Sequence, residues 1–187
     1  MAVYLNYENT DVVLGEQTAP RSLPASAPFN NVSTEESLAN AINLETAESG
    51  ERHNQSSHIW VTGVLELVFE FDNEYEMSNV HFWNYWSETY DVDQIDLTFF
   101  NASGAVTSSV SLAPLSGGPG SSDSVPIEVE DYSIEGAPLA QTVSAVFTAS
   151  NDQLDFNNIG FTGALADTEP QVPDEPTGPA GAMTESG

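Results

Sequence analysis

The chain has 187 residues, with 29 Asp plus Glu against two Lys plus Arg, three His and no Cys, for a formal net charge of −27 at pH 7. That length predicts one domain with tails. With Arg21 and Arg52 as the only strong bases, nucleic-acid binding by phosphate neutralisation, a polybasic membrane anchor and a Walker loop are excluded. The missing cysteine excludes a disulfide scaffold, a CxxC zinc site and a cysteine nucleophile.

Residues 1–28 read as an N-terminal arm. Ala2–Leu5 and Val12–Leu14 can each add a short edge strand before Pro20, Pro24 and Pro28 break any regular element. A β-sandwich domain is predicted over 29–163. It opens with the one good helix signal, Ser33–Asn43, in which Ser33 is placed as N-cap with Glu36 three residues on. Period-2 patterning follows. In Val64–Phe71, Leu65, Leu67, Phe69 and Phe71 form an apolar face; Ile95, Leu97 and Phe99 do the same. Weaker strands are predicted at Val106–Leu112, Val125–Val129, Val143–Thr148 and Ile159–Thr162, with a turn at 101–104 and a glycine-rich loop at 116–123. Several short strands with frequent turns make the chain mostly β, an antiparallel β-sandwich or barrel with one short helix near its start. Residues 164–187, rich in Pro, Gly and acids, read as a flexible acidic tail. No stretch approaches the ~18 apolar residues of a transmembrane helix, and the start MAVYLNYENTD has no signal-peptide pattern.

The order of landmarks carries a resemblance. A short helix precedes a polar loop ending in Ser57-His-Ile-Trp60. A Leu-x-Leu-x-Phe-x-Phe-Asp strand, the run VHFWNY (80–85), Val92–Phe100 and a closing Asn158-Ile-Gly-Phe161 come after it. Over Phe29–Thr162 this resembles the galactose-binding-domain-like jelly roll, the discoidin or coagulation-factor type C group, many of whose members are carbohydrate-binding modules. The resemblance implies a jelly-roll sandwich and an extracellular glycan as ligand. It departs at two points: Ile42-Asn43-Leu44 stands where many members have Asp-Gly, and Thr162-Gly163-Ala164 lacks the acidic residue that helps hold a structural calcium there.

Sugar recognition needs an aromatic face for the apolar side of a pyranose and planar donors for its hydroxyls. The loop 48–60 offers Arg52, His53, Asn54, His58 and Trp60. The alternative has Trp60 anchoring the core and Arg52 pairing with local carboxylates. In the aromatic run, Val80, Phe82 and Asn84 share one strand face, and His81, Trp83 and Tyr85 the other. One face must enter the core. The second is a ligand platform through Trp83 and Trp86, a subunit contact, or the inside of a further layer. Asn84 is expected to satisfy backbone groups at the strand end. Asp91 and Asp93, with Asp152 and Asp155, are hard oxygen ligands for a structural calcium, or simply solvated surface. No other cofactor is expected. With neither Gly-x-Ser-x-Gly nor HExxH in the sequence, no enzyme is predicted.

Such a charge repels itself strongly at low salt and is screened within about 3 Å at ~1 M, so a halophilic or marine source is expected. Two functions follow. One is a non-catalytic extracellular glycan-binding module. The other is a virion structural or attachment protein, a capsid decoration, turret or tail component, whose partners are other virion subunits or copies of itself in a homo-oligomer. Its localisation is then the virion surface, and its Met1 start needs no signal. Neither function involves nucleic acid or membrane insertion.

Overall fold

Alternation of large apolar and polar side chains lets one face of each strand bury while the other stays wet, and the strands formed here are mostly the ones so patterned. The computed structural model describes residues 1–5, 8–14, 40–42, 51–52, 58–85, 89–115 and 126–166. Its strands are β1 (Ala2–Leu5), β2 (Thr10–Leu14), β3 (Glu51–Arg52), β4 (Ile59–Thr62), β5 (Leu65–Asn84), β6 (Gln94–Phe100), β7 (Val106–Leu112), β8 (Pro126–Ile127), β9 (Glu130–Ser133), β10 (Leu139–Thr148) and β11 (Gln153–Leu165). All pairings are antiparallel.

The long strand β5 builds both layers. Its first half pairs with β2 and β10, and β10 continues through β6 to the edge strand β7. Its second half pairs with β9 and with β11, whose other side carries β4 and then β1. Between the halves the register against β10 slips, from Glu70↔Thr142 to Tyr75↔Ala140, and β5 turns from one layer into the other through the exposed Asp72 and Asn73. A second irregularity sets Asn79 opposite Thr162 and Met77 opposite Gly163, leaving Ser78 as an extra residue. Such a bulge moves the buried face over by one position. Before it Tyr75 and Met77 are buried; after it the core side is Val80, Phe82 and Asn84.

Aromatic rings join the layers. Phe69 of β5 meets Phe161 of β11 edge-on at 5.1 Å between centroids, and Phe147 of β10 stacks on Phe156 of β11 at 4.8 Å, with Phe82 against both. All five are fully buried.

The structure adds to three expectations. Within the predicted arm, β1 and β2 join the two layers as the patterning allowed, and residues 15–28 lie outside the described residues. Of the predicted helix Ser33–Asn43 only Asn40–Ile42 is described, as a 3-10 turn with Ala41 and Ile42 buried; the rest of it lies outside the described residues. The segments Val64–Phe71 and Val80–Tyr85, read separately, lie on one strand that ends at Asn84. The acidic tail, beyond the end of β11, also falls outside the described residues.

Candidate functional site

Trp60 sits on β4 opposite Asp155 of β11. Its neighbours Ile59 and Val61 point into the core, so period 2 turns Trp60 to the outside, where it is 39% exposed. It is therefore not the core anchor that a tryptophan at a strand start suggests. His58, two residues earlier, shares the outer face, and its Nδ1 lies 2.9 Å from Asp155 Oδ1 with both side chains buried. This pair ties the start of β4 to β11. The Asp155 backbone N–H donates to Tyr90 O at 2.6 Å, bringing the segment after 86–88 alongside. Tyr90 in turn faces Tyr85, 6.2 Å between ring centroids. The strand β3, which carries Arg52, lies against β11 as well.

Asn84 closes this end of the sandwich. Its Nδ2 donates to Val92 O and Leu115 O, both at 2.9 Å, and its Oδ1 accepts from the Tyr85 and Val92 N–H groups. That is the strand-end role expected for a buried amide. Leu115 N–H donates to Glu130, whose Oε2 also accepts from Tyr132 OH at 2.5 Å. Burial, and then the hydrogen bond and charge of Glu130, push the Tyr132 phenol far above its ordinary pKa.

The structure thus brings His58, Trp60, Asp155 and the strand of Arg52 together on β11. His53, Asn54 and Trp86 lie outside the described residues. Trp83 is a correction. It is wholly buried, so its indole presents no face on which a sugar can stack. It lies opposite Asn158 of β11, on the side of β5 away from Val80 and Phe82.

The four aspartates expected as oxygen ligands, Asp91, Asp93, Asp152 and Asp155, are not gathered at one point. Among the described residues no three His, Asp or Glu converge in a way that would hold a metal. Asp155 is engaged with His58, Asp93 Oδ2 accepts from Ser150 N–H at 2.5 Å, Asp91 is buried, and Asp152 occupies a turn at φ 58°. Calcium asks for six to eight oxygens around one point.

Sequence reasoning missed the network beside Trp83. His81 Nδ1 lies 2.5 Å from Asp131 Oδ1 and its Nε2 lies 2.7 Å from Thr162 Oγ1, with the Tyr4 ring at 5.9 Å. The alternation placed His81 on the outer face with Trp83, but nothing in the sequence pairs position 81 with 131.

No protein-family model matches the chain, and no curated protein matches it in sequence. Solved structures do match in shape. A family 32 carbohydrate-binding module of C. perfringens NanJ, in complex with galactose, superposes at TM-score 0.51 with 6% identity, over 87% of this chain and 99% of that one. An F5/8 type C domain of a Bacteroides fragilis protein gives 0.53 with 10% identity, over 88% and 98%. The chain shares the jelly-roll fold of these domains. A further jelly roll of this kind, a module described as GH31 CBM32-2 bound to GalNAc, gives 0.51 with 12% identity, over 81% and 97%. At these identities the likeness concerns the fold. Among the described residues no helix is long and apolar enough to cross a membrane.

Proposed function

We propose that this jelly roll is a non-catalytic glycan-binding module whose ligand surface is the outer face of β4 and β11 around Trp60. The observation that carries the reading is the exposure of Trp60 beside the buried His58–Asp155 pair. An indole on a paired strand, with its face open to solvent, offers a large contact area at low conformational-entropy cost. Similarity in fold to modules solved with galactose and with GalNAc supports a galacto-configured ligand. In this reading Arg52 supplies the planar donor, and the module works outside the cell or on a particle surface. The charge supports a halophilic or marine setting.

The test is calorimetric titration of the full chain with galactose and GalNAc in ~2 M salt, where the surface charge is screened. Binding to either that is lost in Trp60→Ala, with the circular dichroism spectrum unchanged, is the expected result. Binding that survives Trp60→Ala moves the site elsewhere. The absence of binding to both sugars and to a broad glycan array rejects the reading, and weight passes to the virion-subunit alternative.

A further inference from the structure

The stretch 97–122 contains no Asp, Glu, Lys, Arg or His, and no other stretch of the chain so free of charge is as long. It contains β7 and its flanks. β7 is the terminal strand of its layer, hydrogen-bonded to β6 on one side only among the described strands. Thr107, Ser109 and Ser111 are exposed, while Val110 and Leu112 turn toward the core. Folded proteins protect a free strand edge with lysine, proline, charges or covering chain. The edge strands β2 and β9 follow that rule, carrying Asp11, Glu130 and Asp131, while β1 and β4, also paired on one side only among the described strands, are uncharged but just four residues long. β7 carries no lysine, proline or charge, and among the described strands none covers its free side.

Exposed apolar groups flank the same strand. Val106 is 59% exposed at the start of β7, Leu115 is 73% exposed just past its end, and Leu139, also exposed, is tethered by Thr107 Oγ1 donating to its carbonyl at 2.7 Å. Asp96 sits one strand inward opposite Ser111, with both oxygens hydrogen-bonded to Gln94 Nε2, and beyond the two ends of β7 Glu74 accepts from Ala102 N–H and Glu130 from Leu115 N–H.

We propose that β7 is a self-association edge at which a second copy of this chain pairs antiparallel across a two-fold axis through Ser109, extending the β2–β5–β10–β6–β7 layer into a continuous sheet. The electrostatics choose the occupant. A basic partner would be drawn to the carboxylate-rich remainder of the surface. A partner bearing the same −27 is repelled by that remainder, and approaches most easily where both copies are neutral. A two-fold contact places one patch against itself. Pairing about Ser109, the midpoint of Val106–Leu112, sets Ser109 of each copy opposite that of the other and Ser108 opposite Val110, up to the irregularity beside Thr107. The inference is independent of the glycan reading, although two copies would present two Trp60 surfaces and bind a multivalent glycan with avidity.

The experiment is sedimentation of the full chain at ~2 M and ~0.1 M salt, alongside two variants. A dimer at high salt that dissociates at least ~10-fold more readily in Ser109→Glu is expected, because like charges directly opposite one another destabilise a strand pair. Mixing Ser109→Glu with Ser109→Lys restores it. Since the chain has no cysteine, Ser109→Cys forms a clean reporter. Cα atoms directly opposite across such a pair lie about 4.5–5.5 Å apart, within disulfide reach, so it oxidises to a covalent dimer faster than the exposed control Thr89→Cys. A monomer at every salt concentration overturns the proposal. So does a dimer indifferent to Ser109→Glu, or a Ser109→Cys that cross-links no faster than the control.

Discussion

Replacing Gly160 by alanine tests whether β1 is an integral strand. Gly160 lies on β11 opposite His81, and the Tyr4 ring of β1 passes directly over it. An ideal Cβ at position 160 would stand 2.3 Å from Tyr4 Oη, 2.5 Å from Cε2 and 2.7 Å from Cζ. Carbon atoms prefer about 3.5–4.0 Å, so the ring must retreat by roughly 1 Å, and it is also in contact with His81. Overpacking of this kind costs about 1–3 kcal/mol. Relief of glycine's backbone entropy returns about 0.5–1 kcal/mol, leaving a net loss of about 1–2 kcal/mol. Urea unfolding followed by tryptophan fluorescence at fixed high salt measures it. The decisive quantity is the coupling with Tyr4→Ala. Removing the ring removes the clash, so the double variant should be more stable than the sum of the single losses predicts, by about 1 kcal/mol or more. Strict additivity would falsify the placement of Tyr4 over Gly160, and with it the docking of β1.

Two further outcomes are expected. Asn84→Ala removes an amide making four hydrogen bonds to Tyr85, Val92 and Leu115; at ~1 kcal/mol each and imperfect additivity, it should cost about 2–4 kcal/mol in the same urea assay. An unchanged midpoint would show that this end of the sandwich is not held by that side chain. The phenols of Tyr75 and Tyr132 are raised by burial first, then by their carboxylate partners Asp72 and Glu130. Protons held more tightly in the folded than in the unfolded chain contribute stability that is full below the unfolded value of about 10 and disappears as pH rises through the folded value. Phenolate absorbance should therefore lag behind the other tyrosines on titration and then rise with alkaline unfolding. Tyr132→Phe should make the unfolding less steep in pH. A single sharp titration of all tyrosines near pH 10 in the folded protein would contradict the burial.

Much of the architecture is legible in local pattern. The alternations at Leu65–Phe71 and Ile95–Phe99 name their own buried faces, and Val106–Leu112 is bounded as observed, because a two-residue period is a property of the strand alone. The paired identity of Trp60 and Trp83 was not legible. Each is a tryptophan on the outward face of a strand, one exposed and one wholly buried. Alternation assigns a side chain to a face, while the covering of that face depends on chain distant in sequence.

The same division holds for the site. Composition alone removed nucleic acids, disulfides and thiol chemistry from consideration, because those functions require residue types that the chain lacks. That His58 would find Asp155, 97 residues away, and that β3 would lie against β11, only the tertiary structure decided. The bulge at Ser78 belongs to the same category: it reverses which positions of β5 meet the core. Strand pairing over long sequence separations is selected by the packing of whole layers, and no local stretch encodes it.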